Sequence, residues 1–154
     1  MKTHSEIIRD SNPDINFIPP DELSLLKIKL GKSKRKESDW KIIKDILARH
    51  DLIVFEPEKE EREYKVYDHI MSEDGILQAF TNLDDCMRHI QWLNEDDGTP
   101  GRKFVVGGLP FEQIIRASDY YGRDLLIDMT MDGKNRCILY LAGKGEIKAV
   151  SLVR

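Results

Sequence analysis

Asp128 is the carboxylate in this sequence with the clearest potential for chemistry, because it interrupts the apolar segment LLIDMTM. A charged side chain buried in such a strand needs a partner or a shifted pKa. Strand side chains alternate between two faces, so Asp128 is semi-buried if the face it shares with Leu126 points inward. We expect the other case, a solvated Asp128, and keep the semi-buried position as the alternative.

The glycine pair that begins at Gly107 is a second such pattern, since it follows a predicted strand and precedes a predicted helix. Helix N-termini offer unpaired N–H donors to phosphate groups. The segment VVGGLPFEQ has neither GxGxxG spacing nor a P-loop lysine, and Pro110 lacks a donor, so a tight turn is favoured. The alternative function is a small-ligand-binding domain or enzyme that uses the Gly107 turn with Asp128, Tyr120 and Tyr121.

The histidines and cysteines do not form a nucleophile or metal pattern. No two of the four histidines are spaced as zinc ligands, either with each other or with a cysteine. Cys86 and Cys137 lie in apolar periodic segments, which is typical of buried free thiols of raised pKa. Helical periodicity places His89 away from the apolar stripe, in solvent. We therefore predict no catalytic residue, no cofactor and no metal.

The net charge of −4 disfavours a general nucleic-acid binder, because such proteins neutralise many phosphates. One basic stretch, KIKLGKSKRK, precedes Trp40. A solvated loop is its favoured interpretation, and contact with a phosphate backbone is the alternative. Its cations are Lys27, Lys29, Lys32, Lys34, Arg35 and Lys36.

An acidic segment, EPEKEERE, follows the first predicted strand. It also contains Lys59 and Arg62, so a solvated face is its ordinary interpretation. A dense carboxylate surface can also steer a basic protein partner. On that basis the candidate partner-binding residues are Glu58, Glu60, Glu61 and Glu63.

The 154 residues, 40% hydrophobic and 34% charged, suit a single core. No apolar run approaches the roughly 18 residues of a membrane span, and the first residues lack the apolar core of a signal peptide. Together with two thiols that need no disulfide, this predicts a soluble protein of the reducing cytoplasm, with no membrane partner.

The first half of the chain is predicted to contain an arm, two helices and several strands. Residues 1–20 carry little apolar periodicity and are expected to form an extended N-terminal arm, which Ile15, Phe17 and Ile18 could dock. A short helix spans 20–31, and a second one is capped by Ser38 and ends near His50. Strand patterns follow at 52–55, 64–70 and 75–81.

In the second half, Thr81 is predicted to cap a helix with clear apolar periodicity, and Asp84, three residues later, is predicted to complete a capping box. A strand at 103–106 stops at the glycine pair, and a helix from Pro110 ends at Gly122, which has no Cβ to clash in a left-handed terminator. An Asp-Gly turn at 132–133 marks a tight hairpin. The last strands are expected at 125–131, 134–141 and 146–153.

This order predicts an α+β fold: a mixed, mostly antiparallel sheet with helices packed on it and a C-terminal β-meander. No shift in composition divides the chain, so residues 21–154 are expected to form a single domain. The last strand presents an edge with which another copy could pair, and this leaves a homodimer open.

The phrase GILQAFTNLDDCMRHIQW resembles the SseB-type N-terminal domain, in which a strand ending in an Ala-Phe-Thr-like signature runs into a helix. The likeness extends mainly from Leu52 to Leu126. Where that family often has an Asn-Pro turn, this chain has IDMTMDG and a predicted hairpin. The resemblance implies an α/β sandwich and no catalytic residues.

Acidity without a catalytic constellation favours a non-enzymatic protein-binding module. Such a module would neutralise or regulate a protein partner, as an immunity or accessory protein does. The partner is expected to be basic, because it would meet the acidic segment.

Overall fold

The computed structural model of the protein describes residues 4–57, 77–96, 104–129 and 136–151. Its helices are α1 (His4–Asp10), α2 (Pro20–Gly31), α3 (Glu37–Arg49), α4 (Leu83–Asp96) and α5 (Phe111–Tyr121). Its strands are β1 (Asp51–Pro57), β2 (Leu77–Ala79), β3 (Phe104–Pro110), β4 (Leu125–Ile127), β5 (Cys137–Leu141) and β6 (Glu146–Val150). Within those ranges, no helix combines the length and the apolar character needed to cross a membrane. The predicted strand at 64–70 and the Asp-Gly turn at 132–133 lie outside the described residues.

The strands form two hydrogen-bonded groups that one bridge joins. β1 pairs with β3, and β2, β4, β5 and β6 follow one another in the second group. At the junction, Ile53 of β1 and Phe80 after β2 exchange backbone hydrogen bonds of 2.7 and 2.8 Å. Among the strands that the structure describes, the combined order is β3-β1-β2-β4-β5-β6, and only β2 and β4 are parallel. The predicted α+β class is confirmed, and β4, β5 and β6 form the expected meander.

The larger of two apolar clusters lies between one face of this sheet and helices α2, α3 and α5. Apolar residues repeat at helical spacing along α3, so one stripe of that helix packs on the strands. Alternate strand residues point to the same cluster because side chains alternate across a strand. Its fully buried members include Leu26, Ile43, Leu47, Leu52, Leu77, Ala79, Ile114, Leu125, Ile127 and Ile138.

The opposite face of the sheet carries α4 and the N-terminal segment. Ile53 and Phe80 point to this face and pack with Leu83, Cys86 and Ile90 of α4. Side chains from the first twenty residues pack against the same cluster, as the docked form of the arm allows. Residues 4–10 of the predicted arm are helical and not extended. The docked side chains are Ile8, Ile15 and Phe17.

Two helices begin differently from the prediction, because other polar groups reach the free N–H donors. The N-cap of α3 is Lys36, and Ser38 lies in the first turn; the Asp39 carboxylate accepts the Lys36 N–H at 2.9 Å. At the start of α4, the side chain of Asn82, not of Thr81, accepts the Asp85 N–H at 2.9 Å. Thr81 is thereby left to bond elsewhere.

The end of α5 is as predicted. Gly122 has φ +65°, and its N–H donates to the Ser118 carbonyl. The left-handed terminator turns the chain directly into β4.

Candidate functional site

The predicted partner-binding carboxylates, Glu58, Glu60, Glu61 and Glu63, lie outside the described residues. The described chain places the start of their segment at the end of β1, where Pro57 is opposite Phe104 of β3. Their role in partner binding stays a prediction.

Asp128 is buried, so the expected solvated position is wrong. It is 5% exposed and follows β4, whose three residues are all buried. Its carboxylate accepts two hydrogen bonds from Thr81, one from the N–H at 2.8 Å and one from the hydroxyl at 2.5 Å. Because β2 and β4 are parallel neighbours, their C-terminal ends lie side by side, and the residues that follow them meet at the same end of the sheet. Asp128 therefore ties the end of β4 to the turn between β2 and α4.

The backbone of Asp128 is held in a conformation that few residues other than glycine adopt. Its φ is +62°, in the left-handed region that Asp and Asn tolerate best. The Asp128 N–H donates to the Ala79 carbonyl at 3.0 Å, and the Cys137 thiol donates to the Asp128 carbonyl at 3.3 Å. Such strain, roughly 1–3 kcal/mol, persists only where surrounding contacts fix it.

Burial raises the pKa of the Asp128 carboxyl to about 6. The two hydrogen bonds from Thr81 oppose this increase, while the nearby Asp85 carboxylate adds to it and the Lys27 ammonium slightly offsets it. The group is therefore mostly ionised at pH 7 and mostly protonated at pH 5. This is a range in which a buried carboxyl can couple protonation to stability.

A second buried carboxylate, Asp85, lies beside it at the N-terminus of α4. The Asn82 amide donates to Asp85 at 2.9 Å, and the Lys27 and Arg88 cations approach at 3.8 and 3.9 Å. We call Thr81, Asn82, Asp85 and Asp128 the polar junction. In the part of the chain that the structure describes, no three His, Cys, Asp or Glu side chains gather as a metal site. The contacts of the polar junction are those of a structural tie between strand ends.

The two cysteines are buried free thiols, as predicted. Burial, reinforced by the Asp128 and Asp85 carboxylates, holds the pKa of Cys86 well above its ordinary range. The thiolate that a nucleophile requires is therefore disfavoured at Cys86. Cys137 is committed to the Asp128 carbonyl.

His89 is buried, and the predicted solvated position is wrong. Its ring lies 5.5 Å from the ring centroids of both Phe55 and Phe80. Phe55 and Phe80 belong to the cluster on which Leu83, Cys86 and Ile90 pack, so the buried side of α4 is wider than the sequence indicated.

The glycine pair lies within β3 and does not break it. Gly107 is opposite Val54 and Gly108 is opposite Ile53 in the ladder with β1. A Cβ on Gly108 would lie 2.7 Å from the Ile15 side chain, whereas one on Gly107 would meet only Val54 at 3.9 Å. The absence of a side chain at Gly108 therefore leaves room for Ile15 of the docked N-terminal segment.

The structure does not bring the Gly107 turn and Asp128 together. Gly107, Val54, Ala79 and Ile127 form a row across β3, β1, β2 and β4. Three strand spacings separate the ends of that row by about 14 Å, so no small group could contact both. Tyr120 and Tyr121 precede β4, at its opposite end from Asp128. The four residues of the ligand-binding alternative thus do not form one site.

The basic stretch is largely engaged within the protein. The Lys29 and Lys32 ammonium groups lie 3.2 and 2.9 Å from the buried Asp39 carboxylate, whose pKa they and the Lys36 N–H hold well below its usual range. Arg35 donates to the Leu30 carbonyl at 2.8 Å, at the end of α2, and stacks on Trp40. These cations join α2 to α3, and few of them remain for a phosphate backbone.

Two turns meet at the end of the sheet opposite the polar junction. Asp119 accepts the Tyr140 hydroxyl at 2.9 Å and the Gly143 N–H at 2.7 Å. Asp124 accepts the Ala142 N–H at 3.0 Å. Burial and Asp119 raise the pKa of Tyr140 to about 12, so its hydroxyl remains a donor. The α5–β4 turn and the β5–β6 turn are thereby fixed side by side.

An exposed aromatic pair ends α5, next to these turns. Tyr120 is 83% exposed, and its ring meets that of Tyr121 edge to face, with centroids 4.9 Å apart. Arg123 in one turn and Lys144 in the other are exposed. We call Tyr120, Tyr121, Arg123 and Lys144 the aromatic corner. The two tyrosines could be noticed in the sequence, but the position of the β5–β6 turn beside the end of α5 depends on the bonds from Asp119 and Asp124.

Comparisons with family models, with curated proteins and with solved structures found no match. The resemblance to the SseB-type domain, mainly from Leu52 to Leu126, therefore rests on the sequence alone, and it stays a prediction.

Proposed function

We propose that this protein is a non-enzymatic protein-binding domain that neutralises or regulates a protein partner, as immunity and accessory proteins do. The observation that carries the proposal is the aromatic corner. Large aromatic side chains are usually at least partly covered, and Tyr120 is almost fully open to solvent.

The composition of the aromatic corner supports binding to a protein. Tyrosine and arginine are enriched among the residues that dominate interface energies, since they combine apolar area with hydrogen-bonding tips. The backbone beside the corner is fixed, because Asp119 and Asp124 accept N–H groups of the β5–β6 turn. A preformed backbone loses less conformational entropy when it binds.

The acidic segment is the second part of the proposal. Its carboxylates at Glu58, Glu60, Glu61 and Glu63 would attract a basic patch on the partner and raise the association rate at low salt. The aromatic corner would then supply most of the short-range affinity. The two surfaces are thus assigned different kinetic roles, which makes them separable.

The test is affinity capture with the tagged full chain from its native cell, followed by titration calorimetry with the purified protein that it retains. Tyr120→Ala is expected to weaken that binding by roughly tenfold or more, which is the range of interface hot spots. Gln113→Ala, an exposed change on the same helix, is the matched control. Replacement of the four glutamates by glutamine should lower the association rate and its salt dependence.

Two results would contradict the proposal. One is a capture that retains no stoichiometric protein at low salt. The other is a partner whose affinity is unchanged by both Tyr120→Ala and the glutamine variant.

A further inference from the structure

The strand β6 lies at the edge of the sheet. It pairs with β5 on one side, and no strand among the described residues pairs with its other side. Such an edge presents a row of N–H and C=O groups that can template another strand.

The two faces of β6 carry different side chains. Ile147 and Ala149 are half-buried and pack against the larger apolar cluster. Glu146 and Lys148 point to the opposite face, and each side chain is 58% exposed. Their ammonium and carboxylate are 4.0 Å apart within the strand, so this ion pair is loose and open to other partners.

We infer that this edge binds β6 of a second copy of the chain, antiparallel, with Ile147 opposite Ile147 on a twofold axis. A twofold axis between identical antiparallel strands sets one residue opposite itself. Only a few registers are therefore available, and they differ in how they pair the charges.

Charge selects among these registers. Centring the axis on Glu146 or on Lys148 sets like charges directly opposite, which is destabilising. Centring it on Ala149 sets Lys148 opposite Val150. Centring it on Ile147 sets Glu146 opposite Lys148 twice, and brings two half-buried isoleucines together on the apolar face. Of the four registers, this one alone pairs opposite charges on one face of the strand and isoleucines on the other.

The inferred interface is remote in the sequence from the acidic segment and does not use the tyrosines of the aromatic corner, although it reaches Lys144 of that corner, which lies opposite Val150 of the second copy. It goes beyond the proposed function, and either can fail without the other.

The first experiment reverses the charges. Sedimentation equilibrium of the full chain, up to about 1 mM protein, should show a monomer–dimer equilibrium. Lys148→Glu should weaken dimerisation roughly tenfold, because it turns two attractive cross-strand pairs into repulsive ones. The double variant Glu146→Lys with Lys148→Glu should restore it to within about threefold, since the opposite charges are again paired. Lys34→Glu, an exposed change of equal charge, is the control and should have little effect.

The second experiment reads the register. In the inferred dimer, residues 147 of the two copies have Cα atoms about 4.5–5.5 Å apart, within reach of a disulfide. Residues 149 are about 14 Å apart. Ile147→Cys should therefore cross-link on mild oxidation and Ala149→Cys should not.

Three results would overturn the inference. They are a protein that stays monomeric over the whole concentration range, a dimer that Lys34→Glu weakens as much as Lys148→Glu, and cross-linking through position 149 in preference to 147. In the first case the edge is free for a strand from another protein.

Discussion

Replacing Asp128 by Asn should stabilise the protein above pH 6 and leave its stability unchanged at low pH. Asn is neutral, close in shape to a protonated Asp, and tolerates the left-handed φ of +62°. Its carbonyl can accept the Thr81 N–H. Its amide can donate to the Thr81 hydroxyl oxygen, which then accepts a second bond beside the one from the Asn82 amide at 3.1 Å. Both ties of the polar junction are kept without a buried charge.

The magnitude follows from the pKa of Asp128. The carboxyl titrates near pH 6 in the folded protein and near 3.8 when unperturbed. A folded pKa above the unfolded one stabilises the protein fully below the unfolded value, and that stabilisation is lost as the pH rises through the folded value. A difference of about two units corresponds to about 3 kcal/mol. Asp128→Asn should therefore match the native protein at pH 3.5 and exceed it by up to about 3 kcal/mol at pH 8.

Urea unfolding at pH values between 3.5 and 8, followed by circular dichroism, measures this difference. Asp14→Asn, at an exposed carboxylate, is the control and should be neutral throughout. Asp128→Ala should lose about 2–5 kcal/mol relative to Asp128→Asn, because it leaves a buried Thr81 N–H unbonded and disfavours the left-handed backbone. If Asp128→Asn is less stable than the native protein at pH 8, the charged carboxylate is stabilising and the reasoning is refuted.

Two further changes test other contacts. Gly108→Ala should destabilise the fold by about 1–3 kcal/mol, because its Cβ would overlap Ile15. Gly107→Ala should be nearly neutral. Adding Ile15→Ala should rescue Gly108→Ala in part, because the Asp51 Cβ, 3.2 Å from the new Cβ, remains. The absence of coupling between positions 15 and 108 in a double-mutant cycle would contradict the assigned clash. Asp39→Asn should lower the urea midpoint at pH 7, with a deficit that shrinks as the pH falls below about 4, because the pKa of Asp39 is depressed in the folded protein. A loss of stability that does not depend on pH, or an equal loss in the exposed Asp45→Asn, would argue that Lys29 and Lys32 do not stabilise the Asp39 carboxylate.

Local spacing predicted the elements better than their surroundings. The apolar stripe of α4 and the end of α5 at Gly122 depend on residues close in sequence, and both predictions are confirmed. Asp128 and His89 were misplaced for one shared reason: periodicity assigns a side chain to a face but does not say whether another element covers that face. Helices pack on both faces of this sheet, so residues expected in solvent are buried.

The polar junction and the role of Gly108 required the topology. Thr81 and Asp128 each follow an apolar strand, which was visible, but only the parallel pairing of β2 with β4 brings them together. The sequence pattern around Gly108 is compatible with a turn and with a strand. The structure shows that a side chain at this position would overlap the docked Ile15. Sequence patterns that depend on contacts between distant segments were therefore the ones misread.

The short strand β2 lies between β1 and β4, and its end is tied to Asp128, 47 residues further along the chain. Loops of that length must close before the central pairing gains any stabilisation, which slows folding and makes it cooperative. The meander, whose contacts are local, can form earlier. Hydrogen exchange under native conditions should then release the amides of β1, β2 and β4 together, in global unfolding, so that neither half of the chain is expected to be stable when cut from the other.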